Sequence, residues 1–491
     1  MVAKLLRVGV AGWLACGAAD AALAAQEGAA ARPPNIVFVL ADDLGWTDTA
    51  VTGSRYYETP HIDRLAAQGT RFLNHHHCQN CTPSRAALMS GQYPARTGVY
   101  TVGGTDRFDT SMRPLVPVEN VTDLPLDRAV IARQLKLAGY ATGMFGKWHI
   151  GQKGDFHPGK RGFDEALVTM GRHYDFVTDP PVTYPKGQYL ADFLTDRAVD
   201  FIRRHQGSPF FLYLPHFGVH SPYDAKPELV ERFKRKPAAG GHHDPVYAAM
   251  IASVDESLGR VMATLDELGL TQNTVLVFAS DNGGVGGYVR EGIYRNNKQD
   301  VTDNAPLRSG KGSLYEGGTR VPLIVRWPGA AKPSSTCAAP TIHVDLYPTF
   351  LELAGAPRPP QVLDGVSLVP LLRDPAAALP RAAIFQHFPG YLGAGPDTWR
   401  TTPVSVIQEG EWKLMEFFED GRLELYNLSE DLGETNNLAR AQPGRASQLH
   451  AALQAWRTSV QAPLPQKRAA TLVPKQKRQN RPKNRRDHGD E

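Results

Sequence analysis

Several short clusters of side chains stand out for the chemistry they could do together. Asp42-Asp43 and Asp281-Asn282 each follow an apolar run, and both offer oxygen donors only. Oxygen ligands without histidine or cysteine select a hard cation, Ca2+ or Mg2+, over zinc. Either pair alone would serve equally well as a turn or helix cap; two pairs, each placed after an apolar strand, favour the ion. Lys147 and His149 stand two apart in Gly146-Lys147-Trp148-His149-Ile150-Gly151, on one side of an extended segment, with glycines that allow a ligand to approach. His220 follows a further strand, and Lys311 lies in Ser309-Gly310-Lys311-Gly312. With Arg85, these groups describe a pocket for a tetrahedral oxyanion. A hard cation beside several Lys, Arg and His groups indicates sulfuryl or phosphoryl transfer more than glycoside or peptide chemistry.

Cys81 poses a separate question, because it sits in Cys81-Thr82-Pro83-Ser84-Arg85, a polar setting unlike that of a structural cysteine. Residues 1–25 read as an export signal: Lys4 and Arg7 precede the apolar stretch Val8 to Cys16, and Ala22-Leu23-Ala24 offers a small-residue cleavage site. Cys16 belongs to that segment, which leaves Cys78, Cys81 and Cys337. Three is an odd number for an oxidising compartment, so at least one thiol lacks an intramolecular partner. His75-His76-His77-Cys78-Gln79-Asn80-Cys81 also contains a C-x-x-C that could bind zinc or act as a redox couple. Zinc would want a second ligand cluster, which Cys337 alone does not supply. A redox pair usually opens a helix in a smaller βαβ unit. The three histidines read as a solvated loop or a substrate subsite, with the loop favoured.

The elements that must position these groups alternate between short apolar runs and amphipathic helical patterns. This predicts an α/β fold with a large, mostly parallel sheet flanked by helices. Strands are expected at 35–40, 141–145, 210–214 and 274–279, and helices at 59–69, 84–89, 129–138, 192–204 and 247–268. Polar clusters recur at the carboxyl ends of the strands, where open α/β sheets place their ligands. After about residue 375 the pattern changes to short strands at 383–388, 404–408, 412–418 and 423–426, then a helix at 446–460. This reads as a smaller antiparallel sheet plus helix, giving a catalytic domain over 33–375 and a C-terminal subdomain over 376–465. The chain has 491 residues, 42% hydrophobic and 21% charged, with a net charge of +4. Residues 466–491 hold nine Lys/Arg against three acids, so this tail carries +6 and the rest −2. The tail lacks aromatic interleaving, which argues for a disordered basic extension and against nucleic-acid binding. No apolar run beyond the leader is long enough to span a bilayer.

Cys81-Thr82-Pro83-Ser84-Arg85, followed by Ala86-Ala87-Leu88-Met89-Ser90-Gly91, resembles the signature of the type I, formylglycine-dependent sulfatases of the alkaline phosphatase superfamily. Ala41-Asp42-Asp43-Leu44-Gly45, Thr59-Pro60-His61-Ile62-Asp63-Arg64, Gly146-Lys147-Trp148-His149, Ser280-Asp281-Asn282-Gly283 and Lys311-Gly312-Ser313-Leu314-Tyr315-Glu316-Gly317-Gly318-Thr319-Arg320 are similar to that family's patterns, in order. Trp412-Lys413-Leu414 and Glu424-Leu425-Tyr426-Asn427-Leu428 resemble its C-terminal sheet. The resemblance implies that a formylglycine-generating enzyme oxidises Cys81 to Cα-formylglycine. It further implies Ca2+ held by Asp42, Asp43, Asp281, Asn282 and an oxygen of residue 81, with Arg85 and Lys147 holding the hydrated aldehyde. Lys147, His220 and Lys311 would bind the sulfate, His149 would deprotonate the hydrate, and a sulfated hemiacetal would intervene.

A sulfated saccharide is the expected substrate class, with aryl sulfates as surrogates, and the exported enzyme is expected in the periplasm or outside the cell. His173, Tyr174, Tyr294, Arg295 and His387 are candidate specificity residues. The alternatives are a phosphonate or phosphate monoester hydrolase with the same nucleophile, and a non-catalytic glycan-binding relative.

Overall fold

Asn35–Ala41 is apolar after its first residue and buried along its whole length, as a strand covered on both faces must be. Its side chains alternate between two cores. Val37, Val39 and Ala41 face one cluster with the helices Pro60–Gln68, Leu190–Arg204 and Pro245–Glu267. Ile36, Phe38 and Leu40 face another with Cys81–Ser90, Ile131–Leu137 and Leu346–Ala354. This computed structural model describes residues 32–104, 109–293, 299–395 and 398–469. The expected leader, and the basic tail beyond residue 469, lie outside the described residues.

The large sheet has eight strands, in the order Ser335–Cys337, Thr70–Phe72, Leu323–Arg326, Thr274–Ser280, Asn35–Ala41, Phe210–Pro215, Ala141–Gly146 and Glu165–Val168. All neighbours pair in parallel except Leu323–Arg326, which is antiparallel to both strands beside it. The expected mixed, mostly parallel α/β architecture is therefore the observed one. The four strands read from the sequence are consecutive in it, from Thr274–Ser280 to Ala141–Gly146. The other four, three or four residues each, are too short to show a pattern.

The smaller sheet is antiparallel, ordered Ala383–Phe388, Val404–Glu409, Trp412–Phe417 and Leu423–Asn427. Helix Pro443–Ser459 covers it, and Ile384, Ile407, Leu414, Leu449 and Leu453 share one core with Ala87, Tyr93 and Ile342. The smaller sheet thus packs against the helix of Cys81 and the strand of Ile342. Gln466–Lys467 pairs with Leu115–Val116, so ordered chain continues past the expected start of the tail.

Two local expectations need correction. Helix 84–89 begins at Cys81 and ends at Ser90; Pro83 lies within its first turn, where a missing N–H costs nothing. The histidines at 75–77 form neither a solvated loop nor a substrate subsite. His75–His76 is a strand paired with Thr341–Ile342, and all three side chains are at most 1% exposed. His75 Nδ1 bonds to Thr341 Oγ1 at 2.9 Å, and His77 Nε2 to His75 Nε2 at 3.0 Å.

Buried histidines set the expected acid response. Burial pulls His173, His216 and His387 down to about 4, whereas a histidine in an unfolded chain titrates near 6.5. Between these values the unfolded chain binds more protons, so stability falls as pH drops from about 6.5 to about 4, by about 3 kcal/mol per fully shifted histidine. Denaturant unfolding followed across that range should show the loss; a flat unfolding free energy would contradict it.

Candidate active site

Four neighbouring parallel strands end at one edge of the sheet, and each leads directly into site residues. Thr274–Ser280 leads to Asp281 and Asn282, Asn35–Ala41 to Asp42 and Asp43, Phe210–Pro215 to the loop bearing His220, and Ala141–Gly146 to Lys147. Register sets the neighbours: Ala41 pairs with Ser280, so Asp42 and Asp281 emerge together. Asp43 turns into a left-handed conformation (φ 63°), and its N–H donates to Asp281 Oδ1 at 3.1 Å. Gly146 (φ 133°) has no alternative, because a Cβ there would stand 1.9 Å from the Pro215 carbonyl oxygen.

Cys81 is the first residue of its helix and 1% exposed, so it lies at the positive end of the helix dipole. Burial raises the thiol, but the Lys147 and Lys311 ammoniums outweigh that effect and hold it at about 6. Cys78, three residues earlier, is pushed well above the usual thiol range by burial and stands 3.2 Å from His343 Nε2. The two cysteines of the C-x-x-C thus differ in character, and Cys78, Cys81 and Cys337 are all free thiols.

Arg85 lies one helical turn after Cys81 and is fully buried. Its Nε donates to Asp281 Oδ2 at 2.9 Å and its Nη1 to the Lys147 carbonyl at 2.7 Å; Nη2 is 2.7 Å from Asp281 Oδ2 and 3.7 Å from Asp42 Oδ1. It therefore braces two strand ends against the helix and acts as a positioning residue. Lys147 Nζ bonds Asp42 Oδ2 at 2.7 Å, and Lys311 Nζ bonds Asp43 Oδ2 at 2.8 Å. Although burial opposes it, Lys311, His220 and Lys147 hold Asp43 well below the usual carboxylate range. Burial and the neighbouring Asp42 raise Asp281 despite Arg85. His220 Nδ1 faces the Ser221 carbonyl at 2.5 Å, which leaves Nε2 toward the pocket, 3.8 Å from Asp43 Oδ2. Burial and the two lysines lower His220, but Asp43 and Asp42 prevail and its pKa is raised.

Asp42, Asp43, Cys81 and His220 each present a donor atom within 4.8 Å of the others. Asn282 joins through Nδ2, which donates to Asp43 Oδ1 at 2.8 Å. The oxygens Asp42 Oδ1 and Asn282 Oδ1 are buried without a hydrogen-bond partner, so the donor set fits a hard cation. His149 follows on the Lys147 loop, half-buried, with φ 59°.

The specificity candidates separate. His173 is buried and bonds the His220 carbonyl at 2.9 Å, supporting that loop. His387 is a packing residue, bonded to Ser405 Oγ and the Pro463 carbonyl. Tyr174 packs edge-on against Tyr189; Tyr294 and Arg295 lie outside the described residues.

A second buried network lies behind Lys311. Glu316 accepts from Lys413 Nζ (2.8 Å) and Arg320 Nε (2.6 Å) and pairs with His76 (3.1 Å), while Lys413 also meets Glu434 at 2.8 Å. Glu316 and Arg320 are one helical turn apart, but His76, Lys413 and Glu434 are distant along the chain, so the pairing as a whole is not visible locally.

Buried carboxylates and lysines around Cys81 at the carboxyl edge of this sheet point to a class: a hydrolase of oxyanion esters with an alkaline-phosphatase-like fold. Comparison with known proteins narrows it. The sulfatase family profile matches residues 34–356, and that of the N-sulphoglucosamine sulphohydrolase C-terminal region matches 310–459. A sulfatase from Formosa agariphila is 34% identical, covering 88% of this chain and 90% of its own. Rat steryl-sulfatase is 32% identical, covering 79% and 78%. The crystal structure of Ps i-CgsB in complex with k-i-k-neocarrahexaose superposes with a TM-score of 0.72 at 28% identity, covering 87% and 93%. The chain belongs to the sulfatase family and is a sulfuric ester hydrolase.

Lys413→Met would leave Glu316 and Glu434 buried beside each other without their shared cation. The expected loss is about 3–5 kcal/mol, read as a lowered denaturant midpoint; an unchanged midpoint would show that the network does not stabilise the fold.

Proposed function

We propose that the protein hydrolyses sulfate monoesters of saccharides, with residue 81 as nucleophile after conversion of Cys81 to formylglycine. The observation that carries this reading is the place of Cys81: a helix N-terminus, within reach of Asp42, Asp43 and His220 and between two lysines that favour its anionic form. As a hydrated aldehyde, residue 81 would supply one hydroxyl to attack sulfur and a second whose deprotonation frees the sulfate. A Ca2+ ion (or Mg2+) held by Asp42, Asp43, Asp281, Asn282 and an oxygen of residue 81 would supply positive charge against the ionised hydroxyl.

Charge balance supports an anionic substrate. Asp42, Asp43 and Asp281 oppose Lys147, Lys311 and Arg85 one for one in a site where none of the six is more than 9% exposed. A divalent ion then leaves the pocket two charges positive, which a sulfate monoester and an ionised nucleophile together cancel. Lys147, Lys311 and His220 bind the sulfate oxygens in this reading, His220 or Lys311 protonates the leaving alcohol, and His149 takes the proton of the second hydroxyl. Arg85 keeps Asp281 and Lys147 in register with the nucleophile. A saccharide is supported by the carrahexaose held by Ps i-CgsB and by the N-sulphoglucosamine sulphohydrolase match. The composition of residues 1–25 supports export, to the periplasm or beyond. Among the described residues no helix is long and apolar enough to cross a membrane.

Protein made with a formylglycine-generating enzyme should show a loss of about 18 Da in the tryptic peptide Phe72 to Arg85, together with hydrolysis of aryl sulfate in preference to aryl phosphate. An intact Cys81 thiol in active protein would overturn the nucleophile, and a phosphate preference would overturn the substrate class. Lys311→Ala should lower kcat/KM about 100- to 1,000-fold. Chelation should lower both Tm and activity, with recovery on adding Ca2+; indifference to chelator would remove the ion from the site.

A further inference from the structure

We infer that Asn304 is a positioning residue that fixes Lys311 against Asp43, and so against the substrate's sulfate; this rests on the reading above in which Lys311 binds that sulfate. Asn304 is 1% exposed, and its Nδ2 donates among three carbonyl oxygens, those of Gly284 (3.0 Å), Gly286 (3.1 Å) and Ser309 (3.0 Å). The first two belong to the loop that follows Asp281 and Asn282, and the third lies two residues before Lys311. The Gly284 carbonyl also accepts from the Lys311 N–H at 2.9 Å. Asn304 therefore ties the segment of the lysine to the loop of the carboxylate at the point where the lysine's own backbone is bonded. Ser309 is in the left-handed region (φ 60°), which a residue with a Cβ holds only where its surroundings fix it. From the other side, the Tyr288 hydroxyl donates to the Lys311 carbonyl at 2.6 Å.

The other atom of the amide reaches a third segment. Oδ1 is buried without a hydrogen-bond partner. A Cβ on Gly45 would come 2.7 Å from it, and one on Gly284 2.6 Å. Gly45 lies two residues after Asp43 and Gly284 two after Asn282, so the amide is wedged between the loops that carry both oxygen pairs. Turning it over would set Oδ1 against three carbonyl oxygens, which fixes its orientation. Its base is held as well: Thr302 Oγ1 donates to Asp48 Oδ1 at 2.6 Å, and Asp48 Oδ2 accepts from the Gly45 N–H at 2.9 Å and the Tyr247 hydroxyl at 2.8 Å. The reach of a lysine side chain is finite, so the place of the Lys311 backbone decides whether Nζ, 2.8 Å from Asp43 Oδ2, also meets the sulfate. A misplacement of about 1 Å can cost about 100-fold in rate.

The test is a double-mutant cycle on aryl sulfate hydrolysis, with Asn304→Ala, Lys311→Ala and the two together. Asn304→Ala should lower kcat/KM about 10- to 100-fold when Lys311 is present, and less than about threefold when it is already alanine. An asparagine that only supports the fold would give the same loss in both backgrounds. That result, or no loss in Asn304→Ala beside a large one in Lys311→Ala, would overturn the inference. Should Asn304→Ala fail to fold, Asn304→Ser, which keeps one donor, carries the same cycle. Full activity in Lys311→Ala, or no aryl sulfate turnover by the wild type, would instead count against the proposed function. A crystal structure of the Asn304 variant would then decide the positioning role by itself: Lys311 Nζ moved away from Asp43 supports it, and Lys311 Nζ unmoved overturns it.

Discussion

The structure turns on a set of opposite charges placed where water does not reach. Asp42, Asp43 and Asp281 would be untenable as a buried trio, and Arg85, Lys147 and Lys311 equally so; together they are neutral and hydrogen-bonded. Charges removed from water are stable only with such partners. The partners come from three strand ends, one helix and a distant loop, so the neutrality of the cluster depends on the order and register of the sheet. Arg85 carries this dependence furthest, because one side chain ties the helix of Cys81 to Asp281 and to the backbone of Lys147.

The same cluster is mechanically backed from the C-terminal side. Lys413 reaches out of the smaller sheet to the Leu314 carbonyl and to Glu316, both on the segment that begins at Lys311. Glu434 completes the contact by accepting from the Glu316 N–H at 2.7 Å. The smaller sheet thus sets the path of a loop belonging to the active site, beyond closing a hydrophobic face.

Much of this was legible in the sequence, for identifiable reasons. Central strands such as 35–41 and 274–280 are continuous apolar runs ending in aspartates, and they announce both the sheet and the ligand edge. Asp42, Asp43, Asp281, Lys147, His220 and Lys311 were placed in one pocket from their positions after strands and Cys81 from the resemblance of its motif, and the structure brings them together. Edge strands of three residues carry too little pattern. The triple histidine misled because three adjacent polar residues look solvated; pairing with Thr341–Ile342 and a partner at Glu316, all far along the chain, make burial tolerable. His173 and His387 read as candidate specificity residues for the same reason, since the carbonyls that satisfy them are remote.

Strand order also fixes a timetable for the chain as it is synthesised. Asn35–Ala41, the first strand made, ends between Phe210–Pro215 and Thr274–Ser280. The centre of the sheet therefore cannot close until residue 280 has emerged, and the loop backed by Lys413 cannot settle until much later. Residue 81 emerges early but is sealed only when those late strands arrive. Throughout that interval it is open to any enzyme that works on extended chain, and afterwards, at 1% exposure, it is out of reach.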